Sequence, residues 1–351
     1  MAITDDGQVK LSDLQTEFGG SAPTALSEYY SGGSLVGAGT ESGGGVAIPS
    51  SGEIQITDFY GSSAFSAYTI TFLAIAGGAS GGRSSSGDGA GGGGAGGMLA
   101  GNLSASFERD STVTISIGAG GGSRTSDGSK GANGSNTTIQ GGDFTNISTT
   151  GGGGGGSHNP SGNTTTDNGI SGGSGGGAGS PDNIGGGEDQ NVQNSTGGSG
   201  TSGQGNSGGN TNQSNVIDTE TEDGTITVTG RRHSGAGGGG KGGAGGNGGA
   251  LGAGGSAGAG AASSITGSAV TYASGGTGSS GGTTTGTAGG ANKGIGGGGG
   301  TAGNSGAGGS GVVILSMPTN RFSGTSAGSP TVTTSGDNTI LTFTGSGTYT
   351  T

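Results

Sequence analysis

The sequence contains no cysteine and no tryptophan, and it has only two histidines and six prolines among 351 residues. Without cysteine the chain has no disulfides, no thiol nucleophile and no cysteine-based zinc site. The two histidines, His158 and His233, are too few for a multi-histidine metal cage. The scarcity of proline excludes collagen, which needs abundant proline and a strict Gly-X-Y period.

Charged and apolar residues are scarce as well, at 9% and 25% of the chain, and the net charge is −12. A nucleic-acid-binding face needs clustered Lys and Arg, and the one basic cluster, residues 231–233, is too short to follow a phosphate backbone. The most apolar stretch, residues 68–76, has strand length and falls short of the roughly 18 apolar residues of a membrane-spanning helix. We therefore expect neither nucleic-acid binding nor membrane insertion.

Glycine is abundant instead, at 101 residues, and much of it lies in runs such as 151–156, 237–240 and 296–300. Such runs form either flexible linkers or bundles of extended polyglycine-II helices, in which each backbone N–H and C=O bonds sideways to a neighbour. A linker would not alternate with β-branched strands such as residues 112–117. We therefore predict a packed lattice, and the linker is the alternative.

The sequence predicts a mainly β fold in three parts. These are a small α+β anchor module (residues 1–65), a glycine-rich body of short strands and packed polyglycine-II helices (66–317), and a C-terminal β-hairpin module (318–351). Body strands are predicted at residues 68–76, 112–117, 225–229 and 312–317. In the C-terminal module, strands 331–334 and 339–344 flank a predicted four-residue hairpin loop.

The two most apolar strands, residues 68–76 and 312–317, open and close the body. Near-continuous apolar runs indicate strands that are covered on both faces. If these two strands lie side by side, each covers part of the other, and residues 1–65 and 318–351 start from the same end of the body. Separate partners for the two strands are the alternative.

The N-terminal module contains an internal repeat, because residues 7–14 (GQVKLSDL) match residues 52–59 (GEIQITDF) type for type. Each copy predicts a short half-buried strand and then a helical turn, with a hydroxyl at the N-cap and aspartate in the first turn. Ser12 and Gln15 fit a capping box. A second short helix is predicted to carry Leu26, Tyr29 and Tyr30 and to be entered through Pro23.

About 60 residues make only a marginal core. We therefore expect this module to be completed by docking onto something larger, and an independent mini-domain is the alternative. The residues predicted to serve anchoring are Leu11, Leu14, Phe18, Ile54, Ile56 and Phe59.

No motif in the chain predicts catalysis. Residues 235–241 (GAGGGGK) have the spacing of a phosphate-binding loop, but Gly242 stands where a Ser or Thr would hold magnesium. The acidic cluster 220–223 could hold calcium, and a solvated loop is the favoured alternative. No pair of carboxylates stands out as a hydrolytic site. We predict no enzyme activity, no cofactor and no metal site.

Several stretches resemble known proteins beyond their composition. Residues 68–78 (YTITFLAIAGG), 263–276 (SSITGSAVTYASGG) and 309–316 (GSGVVILS) resemble the glycine-rich domain of bacteriophage tail-fibre and minor virion proteins. Residues 11–20 (LSDLQTEFGG) and 26–30 (LSEYY) resemble the N-terminal segment of structural proteins from phages of marine and freshwater bacteria. The ending SGTYTT is similar to a β-module that often follows the glycine-rich domain.

The resemblance implies a virion protein of the fibre or spike type that displays loops for adsorption to a host surface. The N-terminus lacks the layout of a signal peptide, which fits release of particles by lysis. The chain differs from the T-even adhesins in its short N-terminal module and its extra C-terminal strands, so fibre tip, capsid and tail hub all remain open as locations. The alternative is a capsid decoration or collar protein with no receptor role. A depolymerase carried on the fibre lacks a visible carboxylate site.

The display loops are expected in the polar, glycine-poor insertions 181–195 and 212–223. Implied partners are other virion proteins and a host glycan or outer-membrane protein, and a homotrimer is the assembly to test. The candidate display residues are Pro181, Asp182, Asn183, Glu188, Asp189, Asn212, Glu220, Glu222 and Asp223.

Overall fold

A computed structural model of the chain describes residues 3, 9–21, 25–33, 35–36, 40, 42, 46–62, 68–85, 88–103, 111–142, 144–158, 166–181, 194–211, 234–249 and 253–351. The fold is mainly β, as predicted, with one short α-helix and three 3-10 helices in the described part. The helices are α1 (Leu11–Phe18) and the 3-10 helices Leu26–Tyr29, Ile56–Phe59 and Thr319–Arg321. The strands are β1 (Ile70–Ile75), β2 (Arg83–Ser84), β3 (Met98–Leu103), β4 (Thr112–Ser116), β5 (Thr137–Gln140), β6 (Ile147–Thr149), β7 (Ala261–Ser263), β8 (Val270–Tyr272), β9 (Gly300–Thr301), β10 (Val312–Pro318), β11 (Thr325–Ala327), β12 (Thr331–Ser335), β13 (Asn338–Phe343) and β14 (Gly347–Thr350).

The head, by which we mean the described residues between 3 and 62, is built on a turn that occurs three times. In each copy a residue with extended backbone is followed three positions later by an acidic side chain that accepts its N–H. The donor–acceptor pairs are Lys10–Asp13 (2.7 Å), Ala25–Glu28 (3.2 Å) and Gln55–Asp58 (2.7 Å). The carboxylates stabilise the helical turns, because they complement the unpaired N–H groups at their start.

This geometry corrects two details of the sequence prediction. The N-cap of helix α1 is Lys10, two residues before the predicted Ser12, so the Ser12–Gln15 capping box is wrong. The reason is that Asp13 lies at the third helical position, from which its carboxylate reaches back to the Lys10 N–H. The half-buried strands predicted before residues 13 and 58 do not form in the described residues. Pro23 lies outside the described residues.

The core of the head is aromatic. The last apolar residue of each turn, Leu14, Tyr29 or Phe59, is fully buried. The rings of Phe18, Tyr29 and Phe59 lie edge to face, with centroids 6.0 to 6.4 Å apart. Such pairs add to the stabilisation from area burial, which matters in a module of this size.

The longer strands of the body and of the C-terminal residues form two five-stranded antiparallel sheets. The first has the order β12-β13-β10-β1-β3 and the second β11-β14-β4-β5-β6. Of the four strands that follow β10, β13 pairs directly with β10 and β14 pairs directly with β4. Packing is therefore continuous between the C-terminal strands and the glycine-rich body.

The side-by-side placement of the two apolar strands is confirmed. Strands β1 and β10 are antiparallel neighbours, with Phe72 opposite Leu315 and Thr71 opposite Ser316. One face of this sheet packs on the second sheet, through side chains that include Phe72 and Leu315. The other face, which includes Leu73 and Ile314, packs against the β7–β8 hairpin. Both faces are therefore covered, as the continuous apolar runs predicted.

The C-terminal hairpin forms with a shorter loop than predicted. Ser335 pairs with Asn338, so the connection has two residues, Gly336 and Asp337, rather than four. Gly336 has φ +57°, a backbone conformation that glycine adopts without strain and that a two-residue hairpin loop requires.

The glycine runs are packed, and the linker alternative is wrong for the described residues. Residues 89–97 show the arrangement most fully. The N–H groups of Gly91, Gly94 and Gly97 all donate to one neighbour, residues 150–156, at 2.8 Å. Bonds to one neighbour thus recur every three residues, which is the period of the polyglycine-II helix.

Six neighbours surround this segment and exchange backbone hydrogen bonds with it. They are residues 76–82, 150–156, 174–177, 236–239, 276–279 and 294–297. Only glycine lets backbones approach this closely. A Cβ on Gly91, for example, would lie 2.0 Å from the Gly177 carbonyl oxygen.

Candidate functional site

The body has two distinct ends. We call the end that contains the start of β1 and the end of β10 the proximal end, because the chain leaves it toward residues 62 and 319. From Ile75 the chain runs away from the sheets along residues 76–82 and returns antiparallel along residues 91–97, as the bonds Ala76 to Gly97 and Gly82 to Gly91 show. The described residues 83–85 and 88–89, between these two segments, therefore mark the opposite, distal end.

The described residues that flank segments 159–165, 182–193 and 212–233 all lie at this distal end. Residues 159–165 follow His158, whose N–H donates to the Ser84 hydroxyl at 2.9 Å. Residues 182–193 start near Ser180, whose N–H donates to the Gly89 carbonyl. Residues 212–233 follow Thr211, whose hydroxyl donates to the Gly179 carbonyl at 2.8 Å. The residues that precede these three segments, which are far apart in sequence, therefore lie together at one end of the body.

A cluster of buried hydroxyls holds these flanking residues in place. We call it the distal hydroxyl cluster; its members are Ser84, Thr211, Ser234, Ser279 and Thr301, each at most 6% exposed. The Ser279 hydroxyl accepts the Ala90 N–H at 2.7 Å, and the Ser279 and Thr301 hydroxyls lie 2.8 Å apart. Side-chain hydroxyls thus take over from backbone groups where the glycine lattice stops, which keeps buried polar groups paired.

Charged side chains also gather at the distal end. Arg83 contacts Asp127 at 3.4 Å, and the His158 imidazole lies 3.3 Å from the Asp88 carboxylate. Burial lowers the pKa of Lys130, and the Asp167 carboxylate partly opposes that shift. The glycine lattice next to this end has no charged side chains in residues 89–97, so the charged side chains distinguish the distal end from the middle of the body.

The structure describes one of the predicted display residues. Pro181 is buried, so it belongs to the base of its loop rather than to the displayed part, and its assignment as a display residue is corrected. The other predicted display residues, Asp182, Asn183, Glu188, Asp189, Asn212, Glu220, Glu222 and Asp223, lie outside the described residues. The predicted strand 225–229 and the basic cluster 231–233 lie outside them as well.

The six predicted anchoring residues come together in the head. Leu14, Phe18 and Phe59 are buried in its core. Leu11, Ile54 and Ile56 are half-buried and pack against that core. They hold the module together, and any attachment surface must be formed by residues outside this core.

Sequence reasoning missed the asparagines at the borders of the lattice. The Asn133 and Asn136 side-chain oxygens accept the N–H groups of Gly154 and Gly151 at 3.0 and 2.9 Å. Asn168 and Ser171 do the same for Thr196 and Ser199. Both pairs are spaced by three residues, the period of the lattice, and that spacing is the signal that could have revealed them.

The described residues show neither a metal centre nor a membrane span. No group of three or more metal-ligating side chains occurs among them. In the same part of the chain, no helix has the length and apolar character needed to cross a membrane.

These features define a protein whose centre is a lattice of glycine backbones. A model of the family described as glycine-rich domain matches residues 61–264, more than half of the chain. The chain therefore belongs to the glycine-rich domain family. No match was found among curated proteins or among solved structures.

Proposed function

We propose that this protein is a fibre- or spike-type structural protein of a bacteriophage particle, whose distal loops bind a host-cell surface. The observation that carries the proposal is that three flanking residues, His158, Ser180 and Thr211, converge on the end opposite the chain's connection to the head. Recognition residues are commonly found on loops that a rigid scaffold positions. The assignment to a phage rests on the sequence resemblance of the opening and closing strands.

The chemistry of the loops favours a polar ligand. Residues 182–193 and 212–233 together carry seven acidic residues and two arginines. A host glycan offers hydroxyl groups that can donate hydrogen bonds to these carboxylates, and an outer-membrane protein offers basic side chains that can pair with them. In this arrangement the head attaches the protein to the particle, and the lattice separates the loops from the particle.

The proposal is tested by competition for adsorption. Purified protein should block adsorption of the phage to its host, and replacing residues 182–193 and 212–233 with short Gly-Ser segments should abolish that block. The matched control replaces residues 104–110, whose flanking Leu103 pairs with Ile70 at the proximal end. This control should compete as well as the wild type. If the distal variant also competes fully, a decoration or collar role without a receptor replaces the adsorption role.

Immunogold labelling of whole particles gives an independent check. An epitope inserted in residues 212–233 should be labelled farther from the particle than an epitope at the N-terminus. Equal distances for the two epitopes would contradict the proposed orientation.

A further inference from the structure

The two sheets present an open side formed by β11 and β12. These strands are the edges of their sheets, and only three residues, 328–330, connect them, so the two edges lie on the same side of the molecule. All residues of β11 are exposed, and so are the first four of β12. No described segment pairs with the outer side of either strand.

Strand β12 lacks the features that usually protect an edge. Its sequence, TVTTS, contains no charge and no proline, and its pairing with β13 continues without a bulge from Thr331 to Ser335. Its Val332 lies on the same face as the fully buried Leu341, its cross-strand partner, yet Val332 is 46% exposed. Regular, uncharged edges with exposed apolar side chains are templates for pairing with another strand.

The opposite side of the sheets is protected by the chain itself. The Gln204 backbone carbonyl accepts the N–H of Met98 at the start of β3. Its side-chain oxygen accepts the Thr150 N–H at 2.7 Å, next to the end of β6. A turn of the body thus contacts one pair of edges, β3 and β6, whereas no described strand pairs with the outer side of β11 or β12.

We propose that this open side is a dimer interface, in which β12 pairs antiparallel with β12 of a second copy across a twofold axis at Thr333. In that register Thr333 lies opposite its own mate, Val332 opposite Thr334, and Thr331 opposite Ser335. Every pair is uncharged, although each chain carries a net charge of −12. Cross-strand contacts between β-branched and hydroxyl side chains stabilise sheets. The contact is self-complementary, as a twofold interface requires.

The limits of β12 fit the same register. Pro330 precedes the strand and cannot donate to a ladder, and Gly336 begins the hairpin loop, so the shared ladder is confined to residues 331–335. The two Asp337 carboxylates lie beyond opposite ends of that ladder and do not face each other. The interface is therefore free of like-charge contacts.

Cysteine substitution tests the register directly, because the wild-type chain has no cysteine. Thr333→Cys should form an intermolecular disulfide under mild oxidation, since directly opposed Cα atoms lie about 4.5–5.5 Å apart, within the range for a disulfide. Thr331→Cys is the matched control: it is equally exposed, but its own mate lies about 14 Å away along the strand. It should remain reduced alone and form a disulfide when mixed with Ser335→Cys.

The mass in solution supplies the second measurement. Light scattering should give twice the 31.9 kDa monomer mass for the wild type, and the monomer mass for Thr333→Lys, which places two ammonium groups face to face. Unchanged circular dichroism of this exposed variant would show that only assembly is lost. A monomeric wild type, a trimer mass, or equal cross-linking of Thr331→Cys and Thr333→Cys would each overturn the proposal. None of these readouts depends on host adsorption.

Discussion

The head buries side chains and the centre of the body buries backbone. In the head the fully buried residues include Leu14, Tyr29 and Phe59, which are large and apolar. In residues 89–97 the buried positions are glycine and alanine, and hydrogen bonds to six neighbours replace a side-chain core. The head is therefore held together by packed apolar side chains, whereas the lattice is held together by hydrogen bonds between closely packed backbones. Removing atoms should damage the head, whereas adding atoms should damage the lattice.

Adding a side chain to the lattice should have the largest effect. A Cβ on Gly153 would lie 1.8 Å from the Ile170 carbonyl oxygen, and one on Gly239 would lie 2.2 Å from that of Asn206. We expect Gly153→Val or Gly239→Val to cause misfolding or insolubility, because the packed backbones cannot separate without losing hydrogen bonds. Soluble yield and thermal melting measure this. Gly122→Val is the control, since a Cβ there meets nothing within 4 Å; melting of Gly153→Val at the wild-type temperature would contradict the lattice.

Placing a charge in the core of the head should have the next largest effect. Leu14→Asp buries a carboxylate among apolar side chains, at a cost of several kcal/mol. The head should unfold while the body keeps its structure, because the described residues of the head core all lie between 3 and 60. Limited proteolysis should cut within residues 1–65 and spare the rest. Ser27→Asp, which places the same charge on an exposed turn, should leave the pattern unchanged, and equal cleavage of both variants would refute the prediction.

A disulfide across the proximal end should stabilise the body and leave the head unchanged. Thr71→Cys with Ser316→Cys joins cross-strand partners of β1 and β10, and bridging such a long loop contributes about 2–4 kcal/mol. We expect one calorimetric transition to rise in temperature and the other to stay. Asn102→Cys with Ser316→Cys is the control, because Asn102 and Ser316 flank Thr71 on opposite sides, about 10 Å apart. A disulfide in the control but not in the pair would show a different register.

Removing one carboxylate from a repeated turn should cost less. Asp58→Ala leaves the Gln55 N–H without the acceptor that it now has at 2.7 Å. The expected loss is about 1 kcal/mol, which lowers the melting temperature of a module of this size by about 4–8 °C. Asp58→Asn keeps an acceptor oxygen and should recover most of the loss. A melting temperature unaffected by Asp58→Ala would remove the turn from the determinants of head stability.

The smallest effect is expected at the border of the lattice. Asn136→Ala removes the acceptor of the Gly151 N–H, and because Asn136 is exposed, water can replace part of the bond, so the loss should be at most about 1 kcal/mol. Denaturant unfolding with Asn320→Ala, another exposed asparagine, as the control measures it. A loss no greater than that of the control would mean that these asparagines only cover the lattice.

Sequence patterns predicted five strands of the described part, β1, β4, β10, β12 and β13, because alternating or continuous apolar residues reveal how many faces of a strand are buried. The short strands that are rich in glycine, alanine or threonine carry no such pattern and were not predicted. The head was only partly predictable. Two copies of its turn are recognisable in the sequence. The third, at residues 25–29 (ALSEY), lacks the preceding glycine and aliphatic residues, and only the hydrogen bond from the Ala25 N–H to Glu28 identifies it. The start of α1 was misplaced because Ser12 is a favoured N-cap residue and Lys10 is not. The Asp13 carboxylate, at the third helical position, instead accepts the Lys10 N–H.

The sequence by itself determined that no disulfide can form, and it predicted buried strands within residues 68–76 and 312–317. It favoured packed glycine backbones over flexible linkers, and the backbone hydrogen bonds decided for packing. Only the tertiary structure decided which glycine runs are neighbours and that His158, Ser180 and Thr211 meet at one end. The physical reason is that every glycine run offers the same donors and acceptors at the same spacing. Its partners are therefore chosen by loop lengths and by the few alanine, serine and asparagine side chains, which act only when the whole lattice is assembled.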